Sequence, residues 1–344
     1  MQLDARLPKD IARTRSHAEA READGYDGLW VSEAGYDPFL QVLQALEATD
    51  RATVGTAIAV AFGRTPLTIA HASYDLALYA RGRFVLGLGS QVKPHIERRF
   101  SMPWSEPAAR MREFVLALRA IWGAWEGDGP LDFDGEFYTH TLMTPFFSPE
   151  PHPFGPPPVY LAGVGRRMTE VAGEVGDGFF VHPFTTRVYF DEVTRPALLR
   201  GRQRAGAADL QGFTLAGPTF VATGRDEQEL ADAVRGTKAQ IAFYASTPSY
   251  RAVLELHSRP DLGPALTKRS KEGRWSELAE LIDDDLLCEF AVVGEPDAVG
   301  AAVVARWGDV YDRVSLYTNY RIDHAVALEV GAAMRAAFDL RHAP

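Results

Sequence analysis

A glycine-rich turn between a predicted strand and a predicted helix is the part of this sequence best suited to bind an anion. Residues 159–162 form an apolar run typical of a buried strand, and apolar residues recur at helical spacing from 168 to 175. Glycine lets the backbone approach a ligand, and the first N–H groups of a helix have no partners within the helix. Two arginines add positive charge where the helix dipole is already positive. The turn therefore predicts a phosphate site formed by Gly163, Val164, Gly165, Arg166 and Arg167.

The same pattern also fits a plainer interpretation. Gly-x-Gly is common in strand-to-helix turns, and the arginine pair would then be solvated surface. Beyond the helix, residues 176–178 turn the chain into a second apolar strand, 179–181, which ends at His182. Two strands joined by a helix of this length are expected to lie parallel and adjacent in one sheet.

Strand and helix signals alternate along the whole sequence. Eight strand candidates occur in this order: residues 2–6, 27–32, 52–62, 83–90, 159–162, 179–181, 212–223 and 313–317. We set residues 290–293 aside as a short extra piece and interpret 245–285, which contains helical segments and prolines, as an insertion near the C-terminal rim. The pattern predicts an α/β fold, a (β/α)8 TIM barrel forming a single domain over residues 1–344.

In a parallel barrel the ligand site forms at the C-terminal ends of the strands. Glu33 and the segment 89–91 lie at such ends beside the predicted phosphate turn, and other titratable groups follow nearby strands. Each has a structural alternative, since Glu33 could pair with an arginine, His71 could be a core histidine and His182 could end its strand. We take as candidate catalytic groups Glu33, His71, His95 and His182.

Composition excludes several other functions. The net charge of −10 argues against nucleic acid or an anionic membrane as the main partner, so we expect a small-molecule substrate. A single cysteine, Cys288, and the lack of a signal sequence or an 18-residue apolar segment predict a soluble cytoplasmic protein. We predict no metal, because no His-x-His, His-Glu-x-x-His or Cys-x-x-Cys spacing is present, and no Gly-x-Ser-x-Gly or Walker motif occurs either.

Several of these stretches together resemble the luciferase-like monooxygenase superfamily, the barrel family of bacterial luciferase. Within it, they are most similar to the branch that uses the deazaflavin coenzyme F420. The resemblance spans most of the chain in the family's order and is specific as a set. It is carried by residues 25–33 (GYDGLWVSE), 55–66 (GTAIAVAFGRTP), 82–90 (GRFVLGLGS), 157–180 (PPVYLAGVGRRMTEVAGEVGDGFF) and 290–299 (FAVVGEPDAV).

The resemblance implies roles for particular residues. It implies that the turn holds the cofactor phosphate through Val164, Gly165, Arg167 and Met168. It further implies that Ala57, Ile58 and Ser90 lie along the flat cofactor ring, with a non-prolyl cis peptide between the first two, and that His95 takes the place of an Asn that touches the deazaflavin.

The sequence also departs from the sugar-phosphate dehydrogenase branch of that family. Ala34 stands where that branch has a catalytic His, and Val92 stands where it has an acidic residue. We therefore expect a different substrate and different proton-transfer groups.

Three functions remain open at this point. The first is hydride transfer between coenzyme F420 and an unidentified small organic substrate. The second is an oxygen-using monooxygenase with FMN, and the third is a flavin- or deazaflavin-binding protein without turnover. In each case we expect a homo-oligomer, a dimer.

Overall fold

The computed structural model of the protein describes residues 1–341, and its strands are short and mostly parallel. They are β1 (Gln2–Arg6), β2 (Gly28–Val31), β3 (Thr53–Thr56), β4 (Ala59–Val60), β5 (Phe84–Gly89), β6 (Phe133–Asp134), β7 (Thr139–His140), β8 (Val159–Ala162), β9 (Gly178–Phe180), β10 (Thr214–Thr223), β11 (Ala291–Gly294) and β12 (Arg313–Tyr317).

Helices separate most of these strands. They are α1 (Thr14–Ala23), α2 (Pro38–Glu47), α3 (Pro66–Tyr79), α4 (Lys93–Arg98), α5 (Pro107–Glu126), α6 (Arg166–Val175), α7 (Arg187–Tyr189), α8 (Arg195–Arg204), α9 (Glu227–Ala245), α10 (Arg251–Leu256), α11 (Leu262–Lys271), α12 (Asp284–Phe290), α13 (Pro296–Trp307) and α14 (His324–Arg341).

The chain forms two compact units, each of which carries parallel strands and helices. The N-terminal unit comprises Asp4–Phe180 and Ala197–Thr214. The C-terminal unit comprises Met1–Leu3, Val181–Pro196 and the chain from Leu215 onward. In both units parallel strands are followed by helices, which is the order predicted for a (β/α)8 barrel.

The sheet of the N-terminal unit is parallel from β1 through β2, β3, β5 and β8 to β9. Its register pairs Asp4 with Gly28, Gly28 with Thr53, and Gly87 with Tyr160. All residues of β2 and β5 are buried. This burial explains why both strands read as apolar runs without alternation, since a parallel sheet is covered on both faces, in a barrel by helices on the outside and by packed side chains on the inside.

The third predicted strand, 52–62, is not continuous. The chain breaks between β3 and β4 at a cis peptide bond joining Ala57 and Ile58, which confirms the predicted bond. A 3-10 turn, Ala61–Gly63, then follows β4. Backbone hydrogen bonds connect the residues at this break to the end of β2: Ala57 N donates to Val31 O at 2.6 Å, and Glu33 N donates to Ile58 O at 3.1 Å.

Helix starts in the N-terminal unit follow ordinary capping chemistry. The Asp37 carboxylate accepts from Phe39 N at 2.9 Å to open α2, and Thr65 Oγ1 accepts from Thr68 N at 3.3 Å to open α3. Caps of this kind contribute about 1 kcal/mol each. The start of α6 differs, since no side chain caps it.

In the C-terminal unit β10 pairs in parallel with both β11 and β12. Ala216–Phe220 align with β12, and Phe220–Thr223 align with β11. Ala291–Gly294 thus form a short strand in addition to the eight strands that the sequence analysis counted, which agrees with setting residues 290–293 aside as a short extra piece. The ten-residue length of β10 allows the second pairing, since its far end extends beyond the register shared with β12.

The segment 245–285 is helical, as predicted, and shares a core with the rest of its unit. Leu254, Leu266 and Ile282 from this segment pack in one buried cluster with Phe184 and Phe290. Its description as an insertion into a single domain stays a prediction.

None of the helices described within residues 1–341 is long and apolar enough to cross a membrane.

Candidate functional site

The predicted phosphate turn has the backbone geometry that an anion requires. Gly165 precedes α6 with φ +87° and ψ 150°, a conformation that favours glycine. At Gly163 a Cβ atom would lie 2.2 Å from Met168 Cγ, so a side chain there would displace the buried methionine. Because no side chain caps α6, its first backbone N–H groups are available to a ligand.

A cavity of about 810 Å³ opens beside this turn, within the N-terminal unit. Its volume falls in the range of small-molecule sites, about 300 to 1,000 Å³. The lining residues are Ser90, Gln91, Val92, Lys93, Trp104, Glu106, Pro107, Ala108, Ala109, Gly163, Val164, Gly165, Arg166, Arg167 and Met168. The structure thus brings together the predicted turn and the end of β5, which are far apart in sequence.

The cationic side chains that line the cavity differ in whether an acidic side chain lies close to them. Arg167 has no acidic partner within residues 1–341, whereas Lys93 lies 3.7 Å from Glu97 and Arg166 lies 3.5 Å from Glu170. The Glu170 carboxylate is already bound by Arg200 at 2.8 Å and Arg204 at 3.1 Å. Arg166 therefore competes weakly for Glu170, and both arginines of the turn remain able to meet an anion.

Hydrogen bonds from the two distal arginines also change the ionisation of Glu170. The hydrogen bond from Arg200, opposed by burial and supported by Arg204, lowers the pKa of the Glu170 carboxyl below its ordinary value. Glu170 thus stays ionised behind the turn.

The glycines of β5 make room for neighbouring protein atoms. A Cβ at Gly87 would lie 1.8 Å from the carbonyl oxygen of Thr56, whose hydroxyl also donates to Gly87 O at 2.7 Å. A Cβ at Gly89 would lie 2.9 Å from Ile58 Cδ1, so the Ile58 side chain covers that position. The Ile58 side chain therefore fills the space beside Gly89. Ser90, the next residue, is the first residue at this end of β5 that lines the cavity.

Glu33 lies at the end of β2, but its carboxylate is already bound. Its side chain is only 6% exposed, and Oε2 accepts from Arg64 Nη1 and from Val60 N, both at 2.7 Å. Arg64 also donates to Asp37 at 2.8 Å. Burial opposes the ionisation of Arg64, but the hydrogen bonds to both carboxylates outweigh it and raise its pKa. The arginine pairing considered for Glu33 is therefore present.

His71 is exposed on α3 and lies outside the cavity. Its ring lies 4.7 Å from that of Trp125 on α5, and no residue of α3 is part of the cavity lining. The structure thus places His71 between two helices.

His95 is exposed on α4, a short helix that the sequence analysis did not identify. Its carbonyl accepts from the backbone N–H groups of Arg99 and Phe100, both at 3.0 Å. Lys93 of the same helix lines the cavity, whereas His95 does not.

His182 belongs to the C-terminal unit, where it contacts two tyrosines. Nδ1 accepts from Phe184 N at 3.1 Å, and Nε2 lies 3.0 Å from the Tyr250 hydroxyl. The Tyr250 ring stacks on the imidazole at 4.7 Å, and the Tyr244 ring meets it edge-on at 5.0 Å.

Sequence reasoning missed several of these groups. Trp104 lines the cavity and packs edge-to-face on Phe62 at 6.0 Å. Tyr244 and Tyr250 meet His182 only after the chain has folded back over more than sixty residues, so no local pattern identifies them. For Trp104, its position in the polar stretch after the glycine-rich strand was an available signal.

The residues of the cavity fit a phosphorylated ligand. The glycine turn, an uncapped helix start and Arg167 are the groups that bind phosphate in many proteins. Within the part of the chain that the structure describes, no cluster of three or more His, Cys, Asp or Glu side chains is arranged to hold a metal ion.

Comparison with known proteins identifies the family. Residues 2–312 match the family model of luciferase-like monooxygenases. An uncharacterized protein of Mycobacterium tuberculosis is 52% identical over 314 residues, covering 91% of this chain and 92% of the relative. The F420-dependent glucose-6-phosphate dehydrogenase of Mycobacterium avium is 31% identical over 199 residues, covering 54% of this chain and 57% of the relative.

Among solved structures, the coenzyme F420-dependent tetrahydromethanopterin reductase from Methanopyrus kandleri has the same fold. It aligns with a TM-score of 0.74 over 96% of each chain, at 20% sequence identity. The predicted (β/α)8 barrel is thereby confirmed, and the chain belongs to the luciferase-like monooxygenase family, a family of oxidoreductase enzymes.

Proposed function

We propose that this protein is an oxidoreductase that transfers a hydride between coenzyme F420 and a small organic substrate. The observation that carries the proposal is the cavity beside the glycine turn, where Arg167 has no acidic partner among the described residues. A relative that is 31% identical is F420-dependent, which supports the same cofactor here.

In this proposal the chain binds and orients, and the cofactor supplies the redox chemistry. When bound, F420 provides a two-electron carrier that gives or accepts a hydride at C5. The turn around Gly165 holds the phosphate through backbone N–H groups, and Arg167 neutralises its charge. The bonds from the end of β2 to Ala57 and Ile58 fix the segment proposed to support the ring.

The cations of the cavity favour F420 over FMN. F420 carries an anionic glutamyl tail beyond its phosphate, whereas FMN ends at the phosphate. Lys93 and Arg166 line the same cavity as Arg167 and are available to the tail. Each charge-assisted hydrogen bond contributes about 1.5 to 3 kcal/mol, so one such bond corresponds to about tenfold selectivity or more.

Titration of the purified protein with each cofactor tests the proposal. We expect tighter binding of oxidised F420 than of FMN, with a difference that shrinks as salt is added, because the cations are partly exposed. Reduced F420 bound to the protein is expected to consume no oxygen. Tighter FMN binding with rapid oxygen uptake would instead establish the monooxygenase alternative.

The alternative without turnover is tested by a different measurement. If F420 binds tightly but its oxidation state never changes in the presence of a broad set of alcohols and carbonyl compounds, the protein is a cofactor carrier. The expected dimer and the cytoplasmic location also stay predictions, and light scattering of the purified protein tests the first.

A further inference from the structure

The hydrogen bonds of His182 determine which way the hydroxyl proton of Tyr250 points. A backbone N–H can only donate, so Nδ1 of His182, which accepts from Phe184 N at 3.1 Å, carries no proton. In the neutral ring the proton is then on Nε2, which lies 3.0 Å from the Tyr250 hydroxyl oxygen. Nε2–H therefore donates to Tyr250, and the tyrosine's own proton is directed elsewhere. No acceptor for that proton is found within residues 1–341.

Tyr250 is one of several half-buried polar aromatic residues in the C-terminal unit. Tyr244 meets the His182 ring edge-on, and its hydroxyl lies 2.6 Å from that of Tyr317, the last residue of β12. The rings of Tyr244, Tyr250 and Tyr317 pack against the apolar cluster around Phe290. Each of these tyrosines is half-buried and packs its ring against apolar side chains.

His182 and Tyr317 both lie at the C-terminal ends of parallel strands. His182 follows β9 after one residue, and Tyr317 ends β12. In barrels of this class the C-terminal ends of the strands form the ligand site. Burial, supported by the nearby Tyr317, raises the pKa of the Tyr250 phenol, so it retains its proton at neutral pH.

We propose that the Tyr250 hydroxyl donates a hydrogen bond to the carbonyl or alcohol oxygen of the substrate and that His182 positions it. The substrate class would be a carbonyl compound or alcohol with an apolar or aromatic body, because the Tyr250 ring packs among the rings of His182, Phe184 and Tyr244. The role of this hydrogen bond in catalysis rests on the proposed F420 function. The binding of a ligand's carbonyl or alcohol oxygen by Tyr250 does not.

Ligand binding without cofactor tests the proposal directly. The probes are 4′-fluoroacetophenone and 1-ethyl-4-fluorobenzene, which lacks the oxygen, each titrated into the full-length protein and followed by fluorine NMR. We expect the wild type to bind the ketone more tightly. One neutral hydrogen bond corresponds to about threefold to tenfold in affinity, so Tyr250→Phe is expected to lose that much for the ketone and nothing for the ethyl compound.

A matched control removes a hydroxyl elsewhere in the same unit. Tyr189 is half-buried, and no hydrogen bond of its hydroxyl is found within residues 1–341, so Tyr189→Phe should leave both affinities unchanged. Equal binding of ketone and ethyl compound by the wild type, no binding of the ketone, or an unchanged ketone affinity in Tyr250→Phe would each overturn the proposal.

Two substitutions at His182 separate positioning from simple structural support. Glutamine can place an N–H near the position of Nε2, whereas asparagine can place an oxygen near Nδ1 and leaves Tyr250 without its donor. We expect His182→Gln to keep the preference for the ketone and His182→Asn to lose it. If His182→Asn keeps the preference and His182→Gln loses it, the effect of His182 comes from the hydrogen bond that Nδ1 accepts from Phe184 N and not from Nε2.

The outcomes also separate this proposal from the proposed function. If the protein binds no F420 but prefers the ketone through Tyr250, the cofactor proposal fails and the oxygen subsite stands. If F420 binds and the ketone preference is absent, the subsite proposal fails alone.

Discussion

The Glu33 carboxylate lies 2.7 Å from Nη1 of Arg64, and the same oxygen accepts from Val60 N at 2.7 Å. Glu33 N also donates to Ile58 O, and Ser32 Oγ donates to Ala57 O at 2.9 Å. Two consecutive residues at the end of β2 therefore hold the segment that contains the cis peptide. Glu33 was a candidate catalytic acid, and these contacts support a positioning role.

Replacing Glu33 is expected to destabilise the protein and weaken cofactor binding together. Glu33→Ala removes the two hydrogen bonds that the buried carboxylate accepts. Arg64 still pairs with Asp37 in this variant, so we expect a loss of about 2 to 3 kcal/mol in the free energy of unfolding. Urea unfolding measures it. Asp37→Asn is the control, because Asp37 is 41% exposed and its pair with Arg64 should contribute less than about 1 kcal/mol. Unchanged stability of Glu33→Ala would contradict the positioning role.

Gly165→Ala is expected to reduce F420 binding more than its effect on stability explains. The φ of +87° disfavours a side chain, at a cost of about 1 to 2 kcal/mol in folding. A Cβ would meet no protein atom, so the additional loss of binding would come from its position in the phosphate turn.

Gly155→Ala provides the control for that substitution. Gly155 has φ +61° and open space around it, but it does not line the cavity. Both variants should lose similar stability, and only Gly165→Ala should lose affinity by isothermal titration. Equal F420 affinity in the two variants would exclude the turn as the phosphate site.

Arg167→Ala is expected to weaken F420 binding about tenfold at low ionic strength, which corresponds to one charge-assisted hydrogen bond. Arg166→Ala should have a smaller effect, because its guanidinium lies 3.5 Å from Glu170. Arg98 lies outside the cavity lining, so Arg98→Ala serves as the control. Fluorescence titration at several salt concentrations measures all three, and a larger loss in Arg98→Ala than in Arg167→Ala would contradict the assignment.

Glu170 is expected to make stability depend on pH in the acid range. Its folded pKa lies below the ordinary value of 4.5, so the unfolded chain binds the proton more readily than the folded protein. The stabilisation is complete above the unfolded pKa and is lost as the pH falls through the folded pKa. Unfolding free energies of wild type and Glu170→Gln between pH 6 and 3 should therefore converge toward low pH, and parallel curves would argue against this linkage.

His71→Ala is expected to leave F420 binding unchanged, because His71 packs on Trp125 and no residue of its helix lines the cavity. His95→Ala should also bind F420 normally, although the resemblance implied that His95 touches the deazaflavin. Titration of both variants with F420 shows whether either histidine contacts the cofactor. A tenfold loss in His95→Ala would contradict the expectation that His95 does not contact the cofactor.

Local patterns in the sequence were sufficient for the turn at Gly163–Gly165 and for most strands and helices. The turn and these elements can be recognised from residues that are neighbours in the sequence. An apolar run, then two glycines, then an amphipathic helix form a pattern that involves no distant contact. The family resemblance added the cis bond at residues 57–58 in the same way, through a motif that is continuous in the chain.

The roles of the titratable groups depended on tertiary structure. Glu33 meets Arg64 across 31 positions, His182 meets Tyr250 across 68, and β11 joins the sheet only because β10 is long enough to pair with it. These contacts are set by the register of parallel strands and by the packing of distant helices. The sequence could therefore identify an acid and an imidazole near strand ends, but the folded chain determined that one carboxylate is bound by an arginine and that the imidazole orients a tyrosine.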